Sequence, residues 1–341
     1  TIADGDTAYL QAGTKFLFDG GVNFNIYGTL KAIGTETDSI IFDNYGDDRW
    51  RGFTLDNATD ETTFEYVKIS GAEKNNGGGM DLSSSNPTLT HVTIVDNTAN
   101  NRGGGMSLNG SNPTLTHVTI ENNTASDYGG GMFLLSSNPT LTHVTIENNT
   151  ANFNGGGIYL FDSDPILTHV TIIDNTAPYG TGGGMYVLDS DPILTNSIIW
   201  GNSPESIYLN TDPWNYGSEE PIITYSDIEG GWEGEGNIDD DPLFNDDYTL
   251  QAGSPCIDTG IIIEGMEYSG SAPDMGAYEW EPFIDCNGVV NGNAEIDDCG
   301  VCDDDPSNDN ADQDCAGECY GDAYEDDCGV CDDDPSNDNA D

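Results

Sequence analysis

The sequence predicts an all-β solenoid, a parallel β-helix, and three observations lead there. Gly-Gly-Gly-Met recurs at Gly77, Gly103, Gly129, Gly155 (followed by Ile158 in place of Met) and Gly182. Every copy passes through Asn/Asp-Pro at Pro87, Pro113, Pro139, Pro165 and Pro192 and closes on an asparagine. Between these marks the apolar residues alternate and are largely β-branched, which fits strands and not helices. A fixed period of 26 or 27 residues makes each copy one unit whose apolar side is buried only by stacking on its neighbours.

Taking the copy that starts at Gly103, Met106 and Leu108 point inward on a first strand. Leu115 points inward on the next, and Val118 and Ile120 on a third. Leu115 and Val118 are three apart, so Thr116-His117 must bend. Gly103–Gly105 and Asn112-Pro113 supply the other corners, where an unusual or fixed φ is wanted. Three strands and three corners make one coil, rising about 4.8 Å, the spacing of paired strands. Residues 1–76 read as a cap with irregular coils, with strands near Phe24–Ile33, Ile40–Phe42, Trp50–Leu55 and Phe64–Ile69. Residues 77–202 are the five regular coils, and 203–284 the last coils (Ile198–Trp200, Ile207–Leu209, Ile222–Tyr225) with a closing segment. Residues 285–341 form a Cys/Asp-rich end that carries one 16-residue segment twice, at Asp297–Asp312 and Asp326–Asp341.

Sixty-two acids face seven bases, a formal charge of −55, and no Lys or Arg follows Arg102. That balance excludes nucleic acid and anionic membrane surfaces as partners. It also leaves divalent cations as the natural counter-charge. No apolar run is long enough to span a bilayer. Eight cysteines, at Cys256, Cys286, Cys299, Cys302, Cys315, Cys319, Cys328 and Cys331, crowd toward the end of the chain. An even number in a small acidic segment predicts disulfides and an extracellular or cell-surface setting, with the pairing left open.

Gly-Gly-Gly-Met with Ile-x-x-Asn resembles the repeats of polymorphic outer-membrane proteins and related right-handed β-helix proteins. The stretch Asp241-Pro-Leu-Phe through Cys256-Ile-Asp258 to Asp274-Met-Gly-Ala-Tyr278 resembles the closing motif of secreted bacterial β-helix proteins. The end of the chain resembles Cys- and Asp-rich repeats reminiscent of thrombospondin type 3. These resemblances imply fold and compartment; such helices serve as adhesins, passengers and enzymes alike.

Residues able to carry chemistry fall in columns. Asp162, Asp164, Asp189 and Asp191 occupy one corner of adjacent coils with no base nearby, an arrangement Ca²⁺ would relieve; Asx-turns splayed into water are the alternative. Asp303, Asp305, Asp309 and Asp312 alternate like the first ligands of a calcium loop, and Asp332, Asp334, Asp338 and Asp341 repeat them. His91, His117, His143 and His169 share a column with Asn196, expected as an internal polar stack at the bend. Asn97, Asn123, Asn149, Asn175 and Asn202 are expected to form an asparagine ladder bonding coil to coil.

A polysaccharide lyase would need a basic side chain that this region lacks, and a hydrolase would need carboxylates of divided roles. The expectation is therefore no enzyme. It is an extracellular, calcium-stabilised subunit of a surface fibre or stalk that associates with itself or with surface and matrix components. A monomeric adhesin or a glycan-binding or carbohydrate-active β-helix is the alternative.

Overall fold

The computed structural model describes residues 1–210, 220–282, 284–289, 292–297, 299–304, 313–325 and 331–332, with only the backbone for 303, 324, 325 and 332. The chain divides into two compact units, Thr1–Trp280 and Glu281–Asp341. The first is a parallel β-helix. Its coils lay down three parallel sheets, called here the first, second and third faces, of eight, fourteen and four strands among the described residues.

The first face holds Met80–Ser83, Met106–Asn109, Met132–Leu135, Ile158–Phe161 and Met185–Leu188 in strict register, with a Met column broken once by Ile158 and a Leu column ending on Val187. The second face is built from Thr88–Val95, Thr140–Glu147 and Ile166–Ile173, with Thr114–Thr116 and Thr119–Glu121 completing the coil between the first two. The third is narrow: Thr98–Arg102, Thr124–Ala125 and Thr150–Ala151. Met106, Leu108, Leu115, Val118 and Ile120 are all buried, as are their equivalents in every regular coil. Each such side chain contributes about 2 kcal/mol by leaving water, and only the coils above and below can cover it.

The bend after Leu115 is a single residue. His91, His117, His143 and His169 have φ of 51–52°, as does Asn196, and Tyr66 and Tyr225 continue the column at 48° and 49°. One left-handed residue turns the backbone without breaking the ladder, so the strand runs on and the inward positions shift from every second residue to the third. The corner after the asparagine ladder's preceding strand is made the same way, by Asp96, Asn122, Asn148 and Asp174 at φ of 53–56°.

At the start of the helix, Phe16, Phe18, Phe24, Phe42, Trp50 and Phe53 interlock with ring centroids 4.5–6.4 Å apart. Trp50 donates its indole N–H to the carbonyl of Ser70 at 2.7 Å. These rings fill the first coils where the aliphatic repeat has not yet begun.

Residues 243–280 form the closing segment. It does not extend the winding but lies along the outside of the second face. The backbone of Gly276 donates to the carbonyl of Asn196 at 2.8 Å, and Ala277 donates to the hydroxyl of Thr171 at 2.9 Å. Leu250, Cys256 and Met275 pack there on Ile198.

The second unit is held by Cys286–Cys302, Cys299–Cys319 and Cys315–Cys331. Neither cysteine of the Cys299/Cys302 pair bonds the other; Cys328 lies outside the described residues. Cys256, counted among the disulfide candidates, is a free thiol, which the closing segment buries completely against Asp227.

Candidate functional site

Inside the corner between second and third faces, Asn97, Asn123, Asn149, Asn175 and Asn202 bond coil to coil. Each Oδ1 from Asn123 onward accepts both the backbone N–H and the Nδ2 of the preceding asparagine, at 2.9–3.1 Å. A second, unanticipated ladder runs through the corner before proline. The backbone N–H groups of Ser85, Ser111, Ser137 and Ser163 donate to the hydroxyls of Ser111, Ser137, Ser163 and Ser190 at 2.9–3.1 Å. Its sequence signal was the invariable Ser two residues before each of these prolines.

Of the four corner aspartates, Asp164 and Asp191 belong to a third, outer ladder. Asn86, Asn112, Asn138 and Asp164 each accept the N–H of the equivalent residue one coil on, so that Asp164 takes the N–H of Asp191 at 2.7 Å. Asp162 accepts the hydroxyl of Ser136 at 2.7 Å, and Asp189 turns the same corner at φ 50°. These bonds run from coil to coil, 26 or 27 residues apart, unlike Asx-turns, whose side-chain oxygen takes the backbone N–H two residues on. Among the described residues, no three His, Cys, Asp or Glu side chains are grouped to hold a metal ion. Asp305, Asp309, Asp312, Asp334, Asp338 and Asp341 lie outside the described residues, and only the backbone of Asp303 and Asp332 is given.

The histidine column is external, not internal, because a left-handed residue between two inward positions throws its side chain out. Tyr66, His91, His117, His143 and His169 stack face to face at 4.5–4.9 Å. His91 and His117 are exposed; the closing segment covers the other end, leaving His169 2% exposed. Burial, then the neighbouring His143, pushes the His169 imidazole down to about 4, with backbone groups of Asp274 and Gly276 opposing in part. Its pKa is depressed on folding, so stability is lost as pH falls from about 6.5 through about 4, by about 3 kcal/mol at the end. His169→Asn, which copies Asn196 of the next coil, is expected to flatten that part of a stability–pH curve measured by urea unfolding. An unchanged acid limb in the variant would place the loss elsewhere.

Two further acids lie under the closing segment. Glu147 pairs in register with Glu121 and is 8% exposed; burial first, then Glu121 and Asp174, pushes it up to about 7. Asp227 is fully buried and is pushed up to about 7 by burial, with Asp239 and Asp240 adding to it. The thiol of Cys256 donates to it at 3.2 Å, and burial raises that thiol too.

The first face carries an outward aromatic column. Where earlier coils have Asp81 and Ser107, later ones have Phe133, Tyr159, Tyr186 and Tyr208, stacked at 4.8–5.3 Å. Tyr128 lies 5.1 Å from Tyr159 and 6.2 Å from Phe153. Arg102 caps the column over the Phe133 ring at 4.7 Å. Phe153, Phe161 and Tyr208 remain at least 37% exposed.

Residues 51–216 match the family described as right handed beta helix region. No curated protein matches the chain. Among solved structures, a crystal structure of pectate lyase Pel9A is similar at 14% identity, with a TM-score of 0.41, over 82% of this chain and 89% of that one. The chain is an all-β parallel β-helix, right-handed in the family it matches, followed by a small disulfide-bonded region.

Proposed function

We propose that this chain is an extracellular, non-catalytic β-helix that binds neutral polysaccharide along its aromatic column, as the adhesive part of a surface stalk. The observation that carries the reading is the place where the coils cease to be copies. Through the regular coils the glycine, proline and asparagine positions are kept, while outward positions change: Asp81 and Ser107 give way to Phe133, Tyr159 and Tyr186, and Ser83 and Asn109 to Leu135, Phe161 and Leu188. Phe133, Tyr159 and Tyr186 pack on one another at only 4–9% exposed, and the rings left open to solvent beside them are Phe153, Phe161 and Tyr208. Exposed rings braced by that stack on a rigid backbone have little ordering left to do on binding. Exposed apolar residues gathered in one place mark interaction surfaces. A charge of −55 favours neutral over acidic glycans.

The absence of Lys and Arg after Arg102, the mutual Glu121–Glu147 pairing and the sealed Cys256 support a non-catalytic role. Three disulfides support an oxidising compartment. Ca²⁺ held by the Asp-rich stretches of sequence after Cys302 remains part of the proposal.

Sedimentation with insoluble neutral glucans and xylans, against polyuronates, tests the reading. Binding to a neutral polymer is expected, and Phe153→Ala with Tyr208→Ser should weaken it by about tenfold or more. Folded protein that ignores every neutral polymer would sink it.

One observation favours a second reading, a self-assembling fibre subunit. Thr7–Leu10 and Lys15–Phe18 are paired on one side only among the described residues, which leaves open strand edges. Electron microscopy with and without a calcium chelator separates the two: filaments that loosen on chelation support the fibre, monodisperse particles the stalk.

A further inference from the structure

The closing segment is fixed over the second face by contacts that bury acids of the helix body. Asp227, in the strand Asp227–Ile228, accepts the Cys256 thiol at Oδ2 and the N–H of Asp240 at Oδ1, at 3.2 and 3.3 Å. Glu147 lies beside Tyr248, whose hydroxyl accepts from Asn148 at 2.9 Å and donates to Asp174 at 3.0 Å. Oε2 of Glu147 has no hydrogen-bond partner among the described residues. The charged and titratable groups facing Glu147 are Glu121, Asp174 and Tyr248, and those facing Asp227 are Asp239, Asp240 and Cys256. None of them is a cation, and no Lys or Arg follows Arg102.

A carboxylate buried without a cation is costly, and a proton is the neutraliser within reach. We propose that the closing segment is a proton-held latch: it docks on the second face while Glu147 and Asp227 are carboxylic acids and loosens when they ionise. Both groups have pKa values raised above those of free carboxyls, so their support for docking is complete below about 4 and is lost as pH rises through about 7. His143 and His169 sit on the same seam against Ala277 and Gly276, and burial holds both imidazoles low. Their charging sets the opposite limit, so the latch is tightest in mildly acidic solution. Release would uncover Thr171, Ile198, His143 and His169, extending the face that already shows His91 and His117 to solvent.

Hydrogen exchange on the full chain, corrected for intrinsic rates, tests the latch. The reporters are the amides of Ile261, Gly276 and Ala277, each bonded to the helix body at 2.8–2.9 Å. Their protection is expected to fall at least roughly tenfold between about pH 6 and about pH 8.5, while the amide of Asn123 in the ladder holds. Glu147→Gln with Asp227→Asn should abolish that fall. Should the double variant lose its near-ultraviolet dichroism, Glu147→Gln alone is expected to shrink the fall. Protection that does not change with pH in the wild type, or a fall that survives in the folded variants, would overturn the proposal.

Discussion

Replacing Asn149 by alanine is expected to cost on the order of 4 kcal/mol in urea unfolding, among the largest effects of any single side chain here. Asn149 is fully buried in the middle of its ladder. Its Nδ2 donates to the carbonyl of Ile120 at 2.8 Å and to Asn175 Oδ1 at 3.0 Å. Its Oδ1 accepts the N–H and the Nδ2 of Asn123 at 2.9 and 3.0 Å. Truncation strands all of these partners away from water, each at about 1–3 kcal/mol before relaxation, and leaves a small cavity as well. Asn202→Ala should cost about half as much, because that residue ends the ladder and is 7% exposed. A loss below about 1 kcal/mol for Asn149→Ala would mean that the ladder is decoration on a helix held by its aliphatic core.

Gly130→Ala is expected to be comparably severe, about 4 kcal/mol or more, for a steric reason. A Cβ at that position would meet the carbonyl oxygen of Gly156 at 2.3 Å and the carbonyl carbon of Thr150 at 2.5 Å. Both are backbone atoms of the next coil, so no rotamer change gives way. Gly110→Ala makes the control. Its φ is +58°, yet the nearest atom to a new Cβ is 4.0 Å away, and Ser136, Asp162 and Asp189 already turn the same corner at φ of 46–51°. About 1 kcal/mol is expected there. If thermal melts rank the two variants the other way, close approach of the coils is not what the glycine run secures.

Much of the helix was legible because its physics is local and repeated. The alternation at Met106 and Leu108, the break in phase between Leu115 and Val118, and the recurrence of Asn123 each report one coil, and the next coil reports it again. What escaped was set by contacts without a period. Nothing near Tyr248 or Ala277 in sequence announces that they meet Asp174 and His143, so the closing segment's course along the second face was not readable. The histidine column was placed on the wrong side for a related reason: the phase break marks a bend, but only its φ of about 51° decides which way the ring points. Cys256 was grouped with the other cysteines by number, whereas its burial against Asp227 sets it apart. The aromatic column was visible residue by residue in the sequence, yet it gains meaning only once register shows that Ser107, Phe133 and Tyr159 share one row.

The three disulfides of the second unit have overlapping spans. Cys286–Cys302 reaches past Cys299, and Cys299–Cys319 reaches past Cys315, from which the third bond continues to Cys331. Every peptide bond between Cys286 and Cys331 therefore lies inside at least one covalent loop. A protease that nicks this stretch once, anywhere along it, leaves the two pieces joined. Such a segment tolerates damage the way a chain-link does: a single cut opens a loop, and separating what lies before it from what lies after takes a reductant or at least two further cuts.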